Sequence, residues 1–196
     1  MEFEKLLTQI KACTLCEPFL PLGANPVVQA HPKSKIVIIG QAPGKKVHET
    51  SVPWNDASGD QLRKWLGVTK EQFYNPELFA IVPMGFCYPG KGTSGDLPPR
   101  KECAPLWHAS LLSELKHASL ILLIGQYAQN YYLKGKKKKN ITENVRSFTD
   151  FLPEYFPLPH PSPRNFIWMN KNPWFATDVL PELKLRIEKI LEIGEV

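Results

Sequence analysis

Cysteines are few in this chain of 196 residues, and their spacing is uneven. Cys13 and Cys16 form a C-x2-C pair, and Cys87 and Cys103 bracket a later segment. A close thiolate pair joined by two more thiolates can hold zinc or an iron–sulfur cluster. Two other stretches have residue types suited to chemistry. Gly40-Gln41-Ala42-Pro43-Gly44 follows the apolar run Ile36-Val37-Ile38-Ile39. Such a run suits a strand buried on both faces, and the turn at its carboxyl end is where open α/β sheets bind ligands. His160-Pro161-Ser162-Pro163-Arg164-Asn165 follows a second candidate strand far along the chain. If the two strands run parallel, both loops open on one edge of the sheet.

Composition sets the frame. With 43% hydrophobic and 22% charged residues, the chain can bury one sizeable core, and we expect a single domain over residues 1–196. It has no run apolar enough to span a membrane, and charges interrupt the apolar positions of its first ten residues, so the expectation is a soluble cytoplasmic monomer without membrane contact. The cytosol disfavours a disulfide framework. The net charge of +5 fits a polyanionic partner, with much of the excess in Lys134 and Lys136 to Lys139.

These stretches need elements to position them. Phe3, Leu6, Leu7 and Ile10 recur at helical spacing within residues 2–12. Strands are expected at Lys35–Ile39, Leu78–Val82, Leu120–Ile124 and Tyr155–Leu158. Helices are expected at Gly59–Leu66 with Ser58 as cap and Gly67 as stop, at 70–75, at Lys101–Lys116, at Gln126–Leu133, and from Pro181 to about Leu191. Residues 17–34, 45–57 and 84–101 read as loops, and 141–149 is ambiguous. Alternation of this kind implies a three-layer α/β/α sandwich around a four-stranded parallel sheet.

The motifs resemble those of the uracil-DNA glycosylase superfamily, most closely its iron–sulfur branch, family four. The resemblance covers nearly the whole chain. It rests on Gly40-Gln41-Ala42-Pro43-Gly44, on Pro53-Trp54-Asn55-Asp56-Ala57-Ser58-Gly59, and on the spacing of the four cysteines. His160 to Asn165 looks like the His-Pro-Ser-Pro-Arg-Asn of the single-strand-selective branch. The resemblance implies a uracil-DNA glycosylase-like fold. The implied activity is a base-excision glycosylase that flips uracil or another deaminated base from single- or double-stranded DNA and hydrolyses its N-glycosidic bond. It also implies a 4Fe-4S cluster on Cys13, Cys16, Cys87 and Cys103, which purification can strip or replace with zinc.

The same resemblance assigns roles. Trp54 would stack on the base, and His160 would donate a hydrogen bond to the leaving base as negative charge develops on it. Gly40, Gln41 and Ala42 would present the backbone to the base, with Gln41 also counted as catalytic. Pro43, Gly44, Ser162, Pro163, Arg164 and Asn165 would meet DNA. Two positions depart from the pattern: Gln41 stands where the branch has Glu, and Pro83 stands where an Asn reads the base edge. Either Asn55 or Asn165 supplies that contact, or uracil is not the substrate. The alternative is an inactive glycosylase-fold module that binds nucleic acid or a nucleotide.

Overall fold

The computed structural model describes residues 2–192. Its centre is a four-stranded, all-parallel sheet in the order β2-β1-β3-β4, with β1 Ile36–Ile39, β2 Phe79–Ile81, β3 Leu120–Ile124 and β4 Tyr155–Leu158. The four strands fall where the apolar runs predict, with β1 and β2 trimmed by a residue or two at their ends.

Period-two alternation divides the strands between two cores. Ile36, Ile38, Phe79, Ile81, Leu122 and Phe156 face one layer. That layer is built from α3 (Ala57–Leu66), α4 (Lys70–Tyr74), α7 (Ile141–Arg146) and α9 (Leu180–Glu192). Val37, Ile39, Ala80, Val82 and Leu123 face the other. It is built from α1 (Glu2–Lys11), α5 (Ala109–Glu114) and α6 (Gly125–Tyr132). Burial of each large side chain contributes about 1.5–3 kcal/mol relative to exposure. The free edge of β2 is covered by Gln29, which exchanges two backbone hydrogen bonds with Ile81 (3.1 and 2.7 Å). Pro157 lies in the opposite edge strand, where a missing donor is tolerated.

Several expectations are corrected. Residues 45–57 are not all loop, because α2 occupies Lys45–Thr50. The cap of α3 is Asp56 rather than Ser58; its carboxylate accepts from the Gly59 N–H at 2.8 Å. Gly67 ends α3 in the left-handed region as expected. The ambiguous stretch forms α7 and a 3-10 turn at Phe148–Phe151. The helix expected from Lys101 opens with a π turn over Ala104–His108. A helix that the reading left out, α8 (Phe166–Lys171), follows the His160 loop. Among the described residues, no helix is long and apolar enough to cross a membrane.

The π turn delivers His108 into the core, 1% exposed. Its Nε2–H donates to the Pro83 carbonyl at 3.0 Å, and its Nδ1 accepts from the Tyr132 hydroxyl. The neutral ring is thereby satisfied on both sides. Burial pushes its pKa down to about 4, against the opposing pull of the Pro83 carbonyl. A depressed histidine binds its proton more tightly in the unfolded chain. Its contribution is complete above the ordinary value of 6.5 and is lost as pH falls towards 4. We expect His108→Gln to remove up to about 3 kcal/mol of the acid-induced loss of stability across that window, read from denaturant unfolding at several pH values.

Candidate active site and cysteine centre

All four strands end at one edge, and the chain reverses its winding between β1 and β3. A switch point of this kind opens a crevice at the carboxyl ends of the strands. A cavity of about 400 Å³ lies there. The loop after β1 supplies Gly40, Gln41, Ala42, Pro43 and Gly44, and the loop after β4 supplies His160, Ser162 and Arg164. Trp54, Asp56 and Ser58 enter from the start of α3, and Pro83 from the end of β2. The two distant loop motifs therefore do share one cavity.

Trp54 is the most constrained residue of this wall. Its φ is +55°, a left-handed conformation that costs a bulky residue on the order of 1–3 kcal/mol. Neighbours hold it there. The Tyr74 hydroxyl donates to the Pro53 carbonyl at 2.9 Å, and Arg63 reaches the Trp54 carbonyl at 3.5 Å. Two glycines make room: a Cβ on Gly40 would stand 2.8 Å from the indole, and one on Gly59 would stand 1.8 Å from the Trp54 carbonyl oxygen. The indole packs against His160 as a tilted pair, with ring centroids 5.7 Å apart.

His160 is held neutral. Burial lowers its pKa, and the Asp56 carboxylate pulls weakly the other way. A neutral imidazole still offers one N–H to a developing anion. The Asn165 amide donates to the His160 carbonyl at 2.6 Å, and Ser162 accepts from the Arg164 N–H, so the loop is braced from within. Asn165 is therefore committed to its own loop. Asn55 does not line the cavity; its amide turns to the Thr50 hydroxyl at 3.4 Å. Pro163 is exposed beside the cavity rather than in it. Pro83 contributes its ring to the wall, while its carbonyl is engaged by His108.

The sequence reading missed two carboxylates. The Oδ2 atoms of Asp96 and Asp56 lie 3.6 and 4.0 Å from where a Cβ on Gly44 would stand, so both face the Gly44 end of the cavity. Asp96 arrives on a tight turn in which the Gly92 N–H donates to the Gly95 carbonyl at 2.6 Å and the backbones of Lys91 and Asp96 pair as an isolated antiparallel bridge. The glycine pair within Gly-Thr-Ser-Gly was the available signal. Phe166 and Ile167 were also missed. They stand 60% and 54% exposed beside the His160 loop.

A second centre lies behind the cavity. Cys13, Cys16, Cys87 and Cys103 line one small buried space with Arg100 and Trp107. The thiols crowd each other. Burial first, then neighbouring thiols, pushes Cys87 to about 11 and Cys103 to about 12, while backbone N–H groups of Asn25 and Phe86 counter this. Trp107 Nε1 and Arg100 Nε are buried donors that find no partner among the described residues. Among those residues, no three His, Cys, Asp or Glu side chains close on a point that a single metal ion could take.

Gly59→Ala gives a direct test of the Trp54 wall. In an ordinary helix the change stabilises by up to about 1 kcal/mol. Here we expect the opposite sign, a loss of about 1–3 kcal/mol in thermal or denaturant melting, with a shifted tryptophan emission as the wall moves.

The family model of the uracil DNA glycosylase superfamily matches residues 28–184 of this chain. The chain is also similar to a solved structure, wild-type SMUG2 of Pedobacter heparinus, at 12% identity and a TM-score of 0.45, with 99% of this chain and 98% of that one covered.

Proposed function

The chain belongs to the uracil DNA glycosylase superfamily, and from that premise we propose that it is a DNA glycosylase hydrolysing the N-glycosidic bond of uracil or another deaminated base. The observation that carries this reading is the single cavity shared by the Gly40–Gly44 loop, Trp54 and the His160 loop.

The base leaves the stack and lies against Trp54. The bond between C1′ and the base nitrogen breaks, and the bonding electrons go with the base. The N–H of neutral His160 stabilises the resulting anion, and burial makes that donor stronger than it would be in water. Water adds to C1′ and gives its proton to a carboxylate, leaving an abasic site and the free base. Asp56 and Asp96 are the carboxylates on the cavity wall that can orient the water and take that proton. Gln41 supplies what Pro83 lacks. Its side-chain amide carries both a donor and an acceptor, and it lines the cavity where Asn55 does not. Exposed Phe166 and Ile167, beside the His160 loop, would press into the gap left by the extruded base.

The four cysteines line one small space, which supports a 4Fe-4S cluster on them, and Arg100 and Trp107, which also line it, each carry a buried N–H without a partner among the described residues. An anionic cluster takes such donors on its sulfurs. Cys13, Cys16, Cys87 and Cys103 would hold it, and its chemistry here would be structural, tying the N-terminal helix to the segment that carries Asp96.

The test is excision from single-stranded and duplex oligonucleotides carrying uracil, hypoxanthine or xanthine. We expect cleavage by the cluster-loaded protein, a loss of at least about 100-fold in kcat with His160→Ala, and a loss of about 10- to 100-fold in kcat/KM with Gln41→Ala. Tight binding without any excision would instead assign the inactive binding module. Separately, Cys87→Ser should lower iron content and melting temperature together; a variant that melts like the wild type would remove the structural role of the cluster.

A further inference from the structure

A second groove of about 610 Å³ opens beside the first. The two share Gln41 and His160 as lining residues, so they adjoin at that pair. The far wall of the second groove carries Lys137, Lys138 and Lys139, from the loop between α6 and α7. A lysine run of this kind usually belongs to a solvated, mobile loop. Here its backbone is fixed.

The Lys138 N–H donates to Asn144 Oδ1 at 2.7 Å. The Asn144 amide donates to Gln129 Oε1 at 2.9 Å. Gln129 Nε2 in turn donates to the carbonyls of Leu158 and Leu123 at 2.9 and 3.3 Å. Asn144 and Gln129 are 3% and 1% exposed. This buried polar chain therefore ties the lysine loop to the ends of β3 and β4, two residues ahead of His160. Such networks are costly unless satisfied, and rigid when they are. The Lys137 and Lys136 N–H groups add turns onto the Leu133 carbonyl at 2.8 and 3.0 Å.

Charge is divided between the two cavities. Asp56 and Asp96 face the Gly44 end of the first, which repels phosphate, and the lysines line the second. Lys138 pairs with Asp150 at 2.6 Å, whereas Lys137 makes its side-chain hydrogen bond to the neutral Asn130 at 3.3 Å and has no ion-pair partner among the described residues. We propose that Lys137 and Lys139, held through the Asn144–Gln129 chain, clamp the phosphodiester backbone of the DNA strand that carries the extruded nucleotide, so that the strand leaves the cavity past His160 on the lysine side. This rests on the glycosylase reading for the meaning of the cavity, but its test does not need excision.

The probe is an undamaged single-stranded oligonucleotide, with binding read by fluorescence anisotropy across a salt series. Two neutralised phosphate contacts account for a slope of about 1.4 in log K against log salt. We expect the Lys137→Gln/Lys139→Gln variant to lose about that much slope, and Lys5→Gln/Lys11→Gln on α1 to lose less than half as much. Equal losses in the two variants would overturn the clamp. Amide exchange of the free protein gives a second reading: the Lys138 N–H should be protected, and exchange at the rate of an open loop would overturn the fixed arm. On a cleavable substrate the lysine variant should raise KM and leave kcat unchanged. If no substrate is cleaved, the glycosylase reading fails, while the salt slope still decides the clamp.

Discussion

Everything at the candidate site depends on four strands being buried on both faces and running the same way. Ile36–Ile39 and Leu120–Ile124 carry no polar side chain that could face water. Each strand must be covered by helices above and below, and each connection must cross back over a face. The strand ends at one edge are then the places where the chain turns without being covered. Gly40 to Gly44, Pro83, Gly125 and His160 all follow a strand end there, although up to 120 positions of the 196-residue sequence separate them.

Within that edge, stability is given up at one point to place one ring. A non-glycine residue at φ +55° is unfavourable, and Trp54 is large. The fold tolerates it because Gly59 lets the first turn of α3 press against the Trp54 carbonyl, and Gly40 lets the edge of the indole come close to the loop after β1. These glycines act by absence of a side chain. If Trp54 stacks on a base as proposed, it is ordered before the base arrives, so less ordering entropy remains to oppose binding.

The sheet was legible in the sequence because long β-branched and leucine runs leave few options. The pairing of the two loop motifs followed from parallel strands alone. What was not legible has specific causes. The helix α2, Lys-Lys-Val-His-Glu-Thr, has only Val47 to bury and shows no periodicity. Asp56 and Ser58 are both good cap residues two positions apart, and propensity does not choose between them. Asn55 and Asn165 read as candidates for base contact, but short amides bond readily to nearby groups of their own loop, as both do here. Asp96 sits in a segment without periodicity, placed by a turn that only its glycines announced. The lysine loop looked solvated because the residues that fix it, Asn144 and Gln129, lie outside it and meet only in the folded chain.

Pro83 stands where the resemblance would place an Asn, and the structure shows what the position does here. At this position the backbone carbonyl accepts from His108, which joins β2 to the opposite helical layer. A proline lacks an N–H, so it leaves no orphaned donor at the apolar side of the cavity, and its ring fills the wall. The position has exchanged reading for packing. A cavity that still has to distinguish bases must then place its donors and acceptors elsewhere. On the proposed function Gln41 fits that need: it lines the cavity and offers a donor as well as an acceptor while remaining neutral. With carboxylates lining one cavity and lysines the adjoining one, Gln41 puts a neutral amide on the wall the two share.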